Sequence, residues 1–175
     1  KLPKNVKPND LDLYLYSTLR GTDCDVDVPL YFRWFLFSNT MVRKVVLDRV
    51  GTFDENIKNY GGEDIELSLR IHQNFSNGIR FDRKLVCYHH DQKKLSEFCD
   101  NMEKYGKFNL SYIISKHPNF KSDFVPSWVL SGFLSYLLFN PMITMFAKIL
   151  LVIFPFKYII RYLVIYSVIR GYRRK

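Results

Sequence analysis

Two glycines run directly into three carboxylates in Tyr60-Gly61-Gly62-Glu63-Asp64-Ile65-Glu66. Gly61 and Gly62 free the backbone from the usual steric limits. The acids follow at what reads as a helix start, where unpaired N–H groups and the positive dipole end favour negative charge. A carboxylate held outward there can take a proton from a hydroxyl, and the same residues serve equally well as helix-capping acids. A second group is His89-His90-Asp91. Neutral imidazole binds metal, but adjacent side chains on an extended segment point to opposite faces, so at most one of the two histidines faces a given site. A third is Asp23-Cys24-Asp25-Val26-Asp27, which is either a set of oxygen ligands suited to a hard cation or a solvated acidic loop before Pro29.

The elements that must position these residues are legible in outline. Tyr31, Phe32, Trp34, Phe35 and Phe37 form an aromatic run that reads as a buried strand. Ser38 or Asn39 then caps a helix over 41–49, which Gly51 stops. A helix over 63–75 carries apolar residues on more than one face, which predicts that neighbours cover it. Asn77-Gly78 is a turn signal, and 79–81 with 84–88 read as short strands ending at the histidines. Residues 94–116 read as a helix with Leu95, Phe98, Met102, Tyr105 and Phe108 as its apolar stripe. Before Pro29 the chain is polar, with a short apolar alternation at Leu11, Leu13 and Leu15.

With 47% hydrophobic and 17% aromatic residues, the 175-residue chain is far from a disordered composition and long enough for a sizeable core. Its net charge of +9 asks for an anionic partner. The basic residues are scattered instead of lining one soluble face, so nucleic acid ranks last among partners. Three cysteines, Cys24, Cys87 and Cys99, make neither an even set nor a CxxC pair and read as packing residues of a reducing compartment. Because the first residue is Lys1 and no signal segment opens the chain, it reads as a piece of something longer. Between Val125 and Ala147 there is no charged residue, and further apolar runs follow, interrupted by Lys157 and Arg161. Asn140-Pro141 breaks the first run, so the tail reads as two or three helices lying in a membrane surface in preference to a span, with a transmembrane segment or a buried helical hairpin as the alternatives. Arg170, Arg173, Arg174 and Lys175 would meet anionic head groups.

Five motifs in order carry a resemblance: Phe37 to Lys44, Val50 to Glu55, Tyr60 to Glu66, Gly78 to Phe81 with Tyr88-His89-His90, and Lys116-His117-Pro118. From Tyr31 to Pro118 this series resembles the C-terminal half of the catalytic domain of family 2 glycosyltransferases, inverting enzymes of the GT-A fold. The resemblance implies an α/β class: a partial, Rossmann-like GT-A domain over 1–120, then amphipathic and hydrophobic membrane-associating helices over 121–175. It implies transfer of a sugar from a nucleotide-sugar donor to a glycan or lipid-linked acceptor at the cytoplasmic face of a membrane, inactive without a nucleotide-binding half.

In that reading Asp64 is the catalytic base, and Glu63 binds acceptor or orders the loop. Gly61 and Gly62 admit the acceptor, while Asn39 and Arg43 lie beside the donor. His89, with His90 as the fallback, holds a divalent Mn2+ or Mg2+ ion or the diphosphate. Asp91 stands where the family often shows a second histidine. A non-catalytic membrane-associated module that binds glycan or a partner is the alternative.

Overall fold

The computed structural model describes residues 2–20, 28–89, 92–130 and 132–174. The chain divides into two compact units, one of Lys1–Lys7, Leu15–Ile57 and Gly62–Asp91, the other of Pro8–Tyr14, Lys58–Gly61 and Gln92–Lys175.

A short helix α1 (Asp10–Leu15) takes the place of the apolar alternation near the start. Asn9 Oδ1 accepts from the Asp12 N–H at 3.0 Å while Asp12 Oδ2 accepts from the Asn9 N–H at 2.9 Å, a reciprocal cap that satisfies two helix-start donors. Leu11 and Tyr14 are buried as a result.

In the first unit, α2 (Lys44–Val50) and α3 (Glu63–Asn74) are the helices that concern the site. α2 begins three residues later than the cap signal at Asn39 predicts, with Arg43 at its N-cap and no side chain capping it. It ends at Gly51, whose φ of +82° closes the last turn. α3 buries Glu66, Leu67, Ser68, Leu69 and Ile71, so the helix is covered on more than one side, as its pattern predicts. Ser68 Oγ donates to the carbonyl of fully buried Phe32 at 3.0 Å, pinning the aromatic run to this helix.

The expected α/β, Rossmann-like GT-A domain is overturned: the described residues form helices and short helical turns, and no strand. The aromatic run folds into two one-turn 3-10 helices, Phe32–Trp34 and Phe37–Asn39. Across from it, Ile79 accepts a backbone bond from Leu30 N–H at 2.8 Å, but the contact does not extend into a ladder. Asp82 Oδ1 then accepts from the Lys84 N–H at 2.8 Å, a local turn that interrupts the second extended segment. A strand is stable only with neighbours paired over several residues, and strand-like composition does not supply them.

The second unit is built on α4 (Leu95–Lys104), a π turn over Tyr105–Asn109, α5 (Leu110–Lys116) and the long α10 (Lys157–Arg173). Between α5 and α10 run α6 (Lys121–Phe124), α7 (Ser127–Leu130), α8 (Phe133–Leu138) and α9 (Pro141–Ile153). α10 crosses the π turn at two glycines. A Cβ on Gly106 would sit 2.0 Å from the Val168 carbonyl oxygen, and one on Gly171 would sit 2.0 Å from that of Glu103. Backbone meets backbone there, which only hydrogen side chains permit.

Of the closing cations, Arg170, Arg173 and Arg174 are tied down within this unit, and Lys175 lies outside the described residues. Arg170 and Arg174 pair with Glu103 at 3.4 and 2.9 Å, and Arg173 donates to the Phe139 carbonyl at 3.1 Å and to Ser135 Oγ at 2.7 Å. Among the described residues no helix is long and apolar enough to cross a membrane. Cys99 is half-buried but Cys87 is exposed, so Cys87 is not a packing residue.

Candidate functional site

Gly62 is the N-cap of α3 with φ +99°, a left-handed conformation that a side chain would strain, and its carbonyl accepts the first helical bond from Glu66 N–H at 2.9 Å. The three carboxylates that follow have three different environments. Glu66 is fully buried and receives the Arg70 guanidinium one turn on: Nε lies 3.0 and 2.9 Å from its two oxygens, and Nη2 lies 2.8 Å from Oε2. Arg70 also donates to the carbonyls of Val50 and Thr52, the latter at 2.6 Å, so it locks the end of α2 to α3. With every oxygen engaged, Glu66 is a structural ion-pair partner.

Asp64 is half-buried, and its Oδ2 accepts the backbone N–H of Phe37 at 3.4 Å. Burial pushes its carboxyl above the ordinary value of 3.8, the neighbouring Glu63 charge pushes it further, and the Phe37 hydrogen bond offsets part of the rise. Glu63 is half-buried too, with Oε2 shielded and without a hydrogen-bond partner among the described residues. A carboxylate of raised basicity, fixed by one weak backbone bond, retains lone pairs for a hydroxyl proton.

The structure brings Glu63, Asp64 and the Phe37–Asn39 turn together. Asn39, two residues beyond the N–H that contacts Asp64, is exposed and donates through Nδ2 to the Leu85 carbonyl at 3.0 Å. Arg43 and His89 are exposed, and among the described residues no hydrogen bond or ion pair joins either to Glu63 or Asp64. His90 and the acidic run Asp23 to Asp27 lie outside the described residues. No group of three or more His, Cys, Asp or Glu side chains converges to hold a metal among the described residues, so they supply no donor set for a divalent ion.

Within the second unit, Gly61 (φ +85°) belongs to a turn that sequence reasoning left unexplained. Buried Asn109 donates through Nδ2 to the carbonyls of Asn59 at 2.9 Å, Tyr60 at 3.3 Å and Gly61 at 2.8 Å. The apolar stripe expected through Phe108 hid this residue. The π turn inserts an extra residue per turn, which rotates Phe108 out to 47% exposure and Asn109 inward. A further cavity of about 380 Å³ in this unit is lined by Cys99, Glu103, Thr144, Lys148, Tyr166 and Ser167, among others, and by none of the candidate residues.

No family model matches this chain, and no solved structure matches it. A stretch of 91 residues, 52% of the chain, is 30% identical to a protein of Bacillus subtilis (strain 168) named YfnE, an uncharacterized glycosyltransferase. The chain is related in part to a glycosyltransferase. It spans about a fifth of that relative, 22% of its length.

Proposed function

We propose that this chain contributes the proton-accepting residues of a family 2 glycosyltransferase, moving a sugar from a nucleotide-sugar donor onto a glycan or lipid-linked acceptor with inversion. The observation that carries the reading is Asp64: a half-buried carboxylate of raised basicity, oriented by the Phe37 N–H at the start of α3. The partial likeness to a protein named a glycosyltransferase supports the class.

In the reaction, Asp64 takes the proton of the acceptor hydroxyl as its oxygen attacks the anomeric carbon. The new C–O bond forms as the bond to the nucleoside diphosphate breaks on the opposite face, so the configuration inverts. Glu63 raises the basicity of Asp64 and binds an acceptor hydroxyl through its unpartnered oxygen. Gly61 and Gly62 leave room for acceptor beside the backbone, and Asn39 and Arg43 face the donor. A divalent ion at His89 belongs to the same proposal and rests on the family resemblance. The described residues supply no donor set for it. The reaction would take place at the cytoplasmic face of a membrane, with the protein bound peripherally.

The test is transfer from a panel of radiolabelled nucleotide-sugars into lipid and glycan fractions by membranes of cells producing the protein together with a nucleotide-binding half. Incorporation with the native chain that Asp64→Asn abolishes, with donor binding retained, supports the reading. Equal loss of donor binding and transfer overturns Asp64 as the base. Acceptor binding without any turnover, even with a nucleotide-binding half supplied, would make the chain a non-catalytic binding module.

A further inference from the structure

α9 carries an apolar face that no described residue of its unit covers. Met142, Met145, Phe146, Ile149, Val152 and Ile153 are 55 to 88% exposed. At 100° per residue they fall within an arc of about 120° on one side of the helix. The opposite side is engaged: Thr144 is buried, donates to the Asn140 carbonyl at 2.9 Å and shares a 3.2 Å hydrogen bond with the Tyr162 hydroxyl of α10. Phe154 and Phe156, in the link to α10, are exposed as well. An exposed apolar stripe along one side of a helix marks a contact with a protein or a membrane.

Charge decides between the occupants. From Val125 to the last residue the chain has no Asp or Glu, while Lys148, Lys157 and Arg161 stand in α9 and the start of α10. Lys148 and Arg161 are exposed. Lys148 lies at the flank of the apolar arc, where a long aliphatic stem can lie along apolar surface with its ammonium at the polar boundary. In a second copy of the same face α9 and α10 would bring only cations to meet these, and the acids nearest Lys148, Asp100 and Glu103 of α4, line the cavity behind it. An anionic lipid surface meets both the apolar arc and its basic flank.

We propose that α9 lies flat in one leaflet of an anionic membrane, its Met142–Ile153 face at the headgroup–acyl boundary and Lys148, Lys157 and Arg161 among the headgroups. With 13 residues, α9 is too short to span, and it docks by lying in the surface. This deepens the peripheral-membrane part of the function proposed above and is independent of the chemistry at Asp64.

Vesicle flotation tests it, using phosphatidylcholine alone and phosphatidylcholine mixed with phosphatidylglycerol. The protein floats with the mixed vesicles, and about tenfold less with phosphatidylcholine alone or at high salt. Phe146→Asp with Val152→Asp abolishes flotation while circular dichroism is unchanged, both side chains being exposed. Lys148→Glu with Arg161→Glu lowers flotation on the mixed vesicles about tenfold or more and removes the lipid preference. A bimane label at Val152→Cys shifts to the blue on adding mixed vesicles. Flotation that survives the two Asp substitutions, failure to bind either vesicle, or a dimer that the two Asp substitutions dissolve in sedimentation each overturns the proposal. Asp64→Asn floats like the native chain; transfer lost with flotation intact separates failure at the site from failure of the membrane contact.

Discussion

Asn109 Nδ2 donates to the Gly61 carbonyl at 2.8 Å across 48 residues of sequence, and to the two preceding carbonyls as well. One buried amide thereby holds the turn that ends in the first glycine of the Gly-Gly-Glu-Asp motif. Asn109→Leu keeps the volume and removes the donors, leaving the carbonyls to find other partners. The expected cost is about 1–3 kcal/mol, seen as a lower midpoint in urea unfolding, with faster amide exchange over 58–61. Unchanged stability would mean that solvent satisfies the turn and that Asn109 holds nothing.

Asp64→Asn separates activity from stability. The substitution removes the base and should lower transfer by about 10²- to 10⁴-fold. Its effect on folding has the opposite sign. The folded Asp64 carboxyl titrates above the ordinary value of 3.8, so the unfolded chain ionises first as pH rises. Stability is therefore lost between the unfolded and folded values and stays reduced above both. Asparagine carries no such cost. The variant should melt higher than the native chain at neutral pH, with the difference vanishing below pH 3.8. Thermal denaturation at the two pH values checks it.

Glu63→Gln tests the electrostatic coupling between the paired acids. Removing the like charge lowers the Asp64 value, so the acid limb of the kcat/KM profile moves to lower pH. Burial, the larger cause of the rise, is untouched, and the shift is therefore partial. A limb that stays in place would show that some other group controls it.

The crossing of α10 over the π turn makes Gly106 and Gly171 intolerant of even one methyl group. Alanine normally favours a helix over glycine by about 1 kcal/mol. At these positions its Cβ would lie 2.0 Å from a carbonyl oxygen, and the backbones must separate. Gly106→Ala and Gly171→Ala should each destabilise by about 1–3 kcal/mol or more. The double variant should cost less than the sum, since either one already opens the same crossing. Denaturant unfolding of the three variants gives the answer.

Elements governed by neighbours in sequence were legible without coordinates. The acidic start of α3 at Glu63, the stop of α2 at Gly51 and the helical character of 95–116 follow from caps, glycines and spacing that act within a turn or two. The cation-only chemistry of the stretch after Val125 is a property of composition alone. The strands failed for the complementary reason. Tyr31 to Phe37 and Ile79 to Tyr88 have strand composition, but a ladder is a property of two segments, and among the described residues none forms beside the Leu30–Ile79 bond.

Only the tertiary structure decided which carboxylate of the motif is available. Glu66, Asp64 and Glu63 look alike in sequence. Arg70, anchored on the carbonyls of Val50 and Thr52, claims the first; the Phe37 N–H orients the second; and the third keeps an oxygen without a partner among the described residues. Likewise the π turn, not the apolar period, put Asn109 inside and Phe108 outside. Local spacing sets where a side chain stands on its helix, whereas burial and hydrogen-bond partners, which set its basicity, come from segments that only folding brings near.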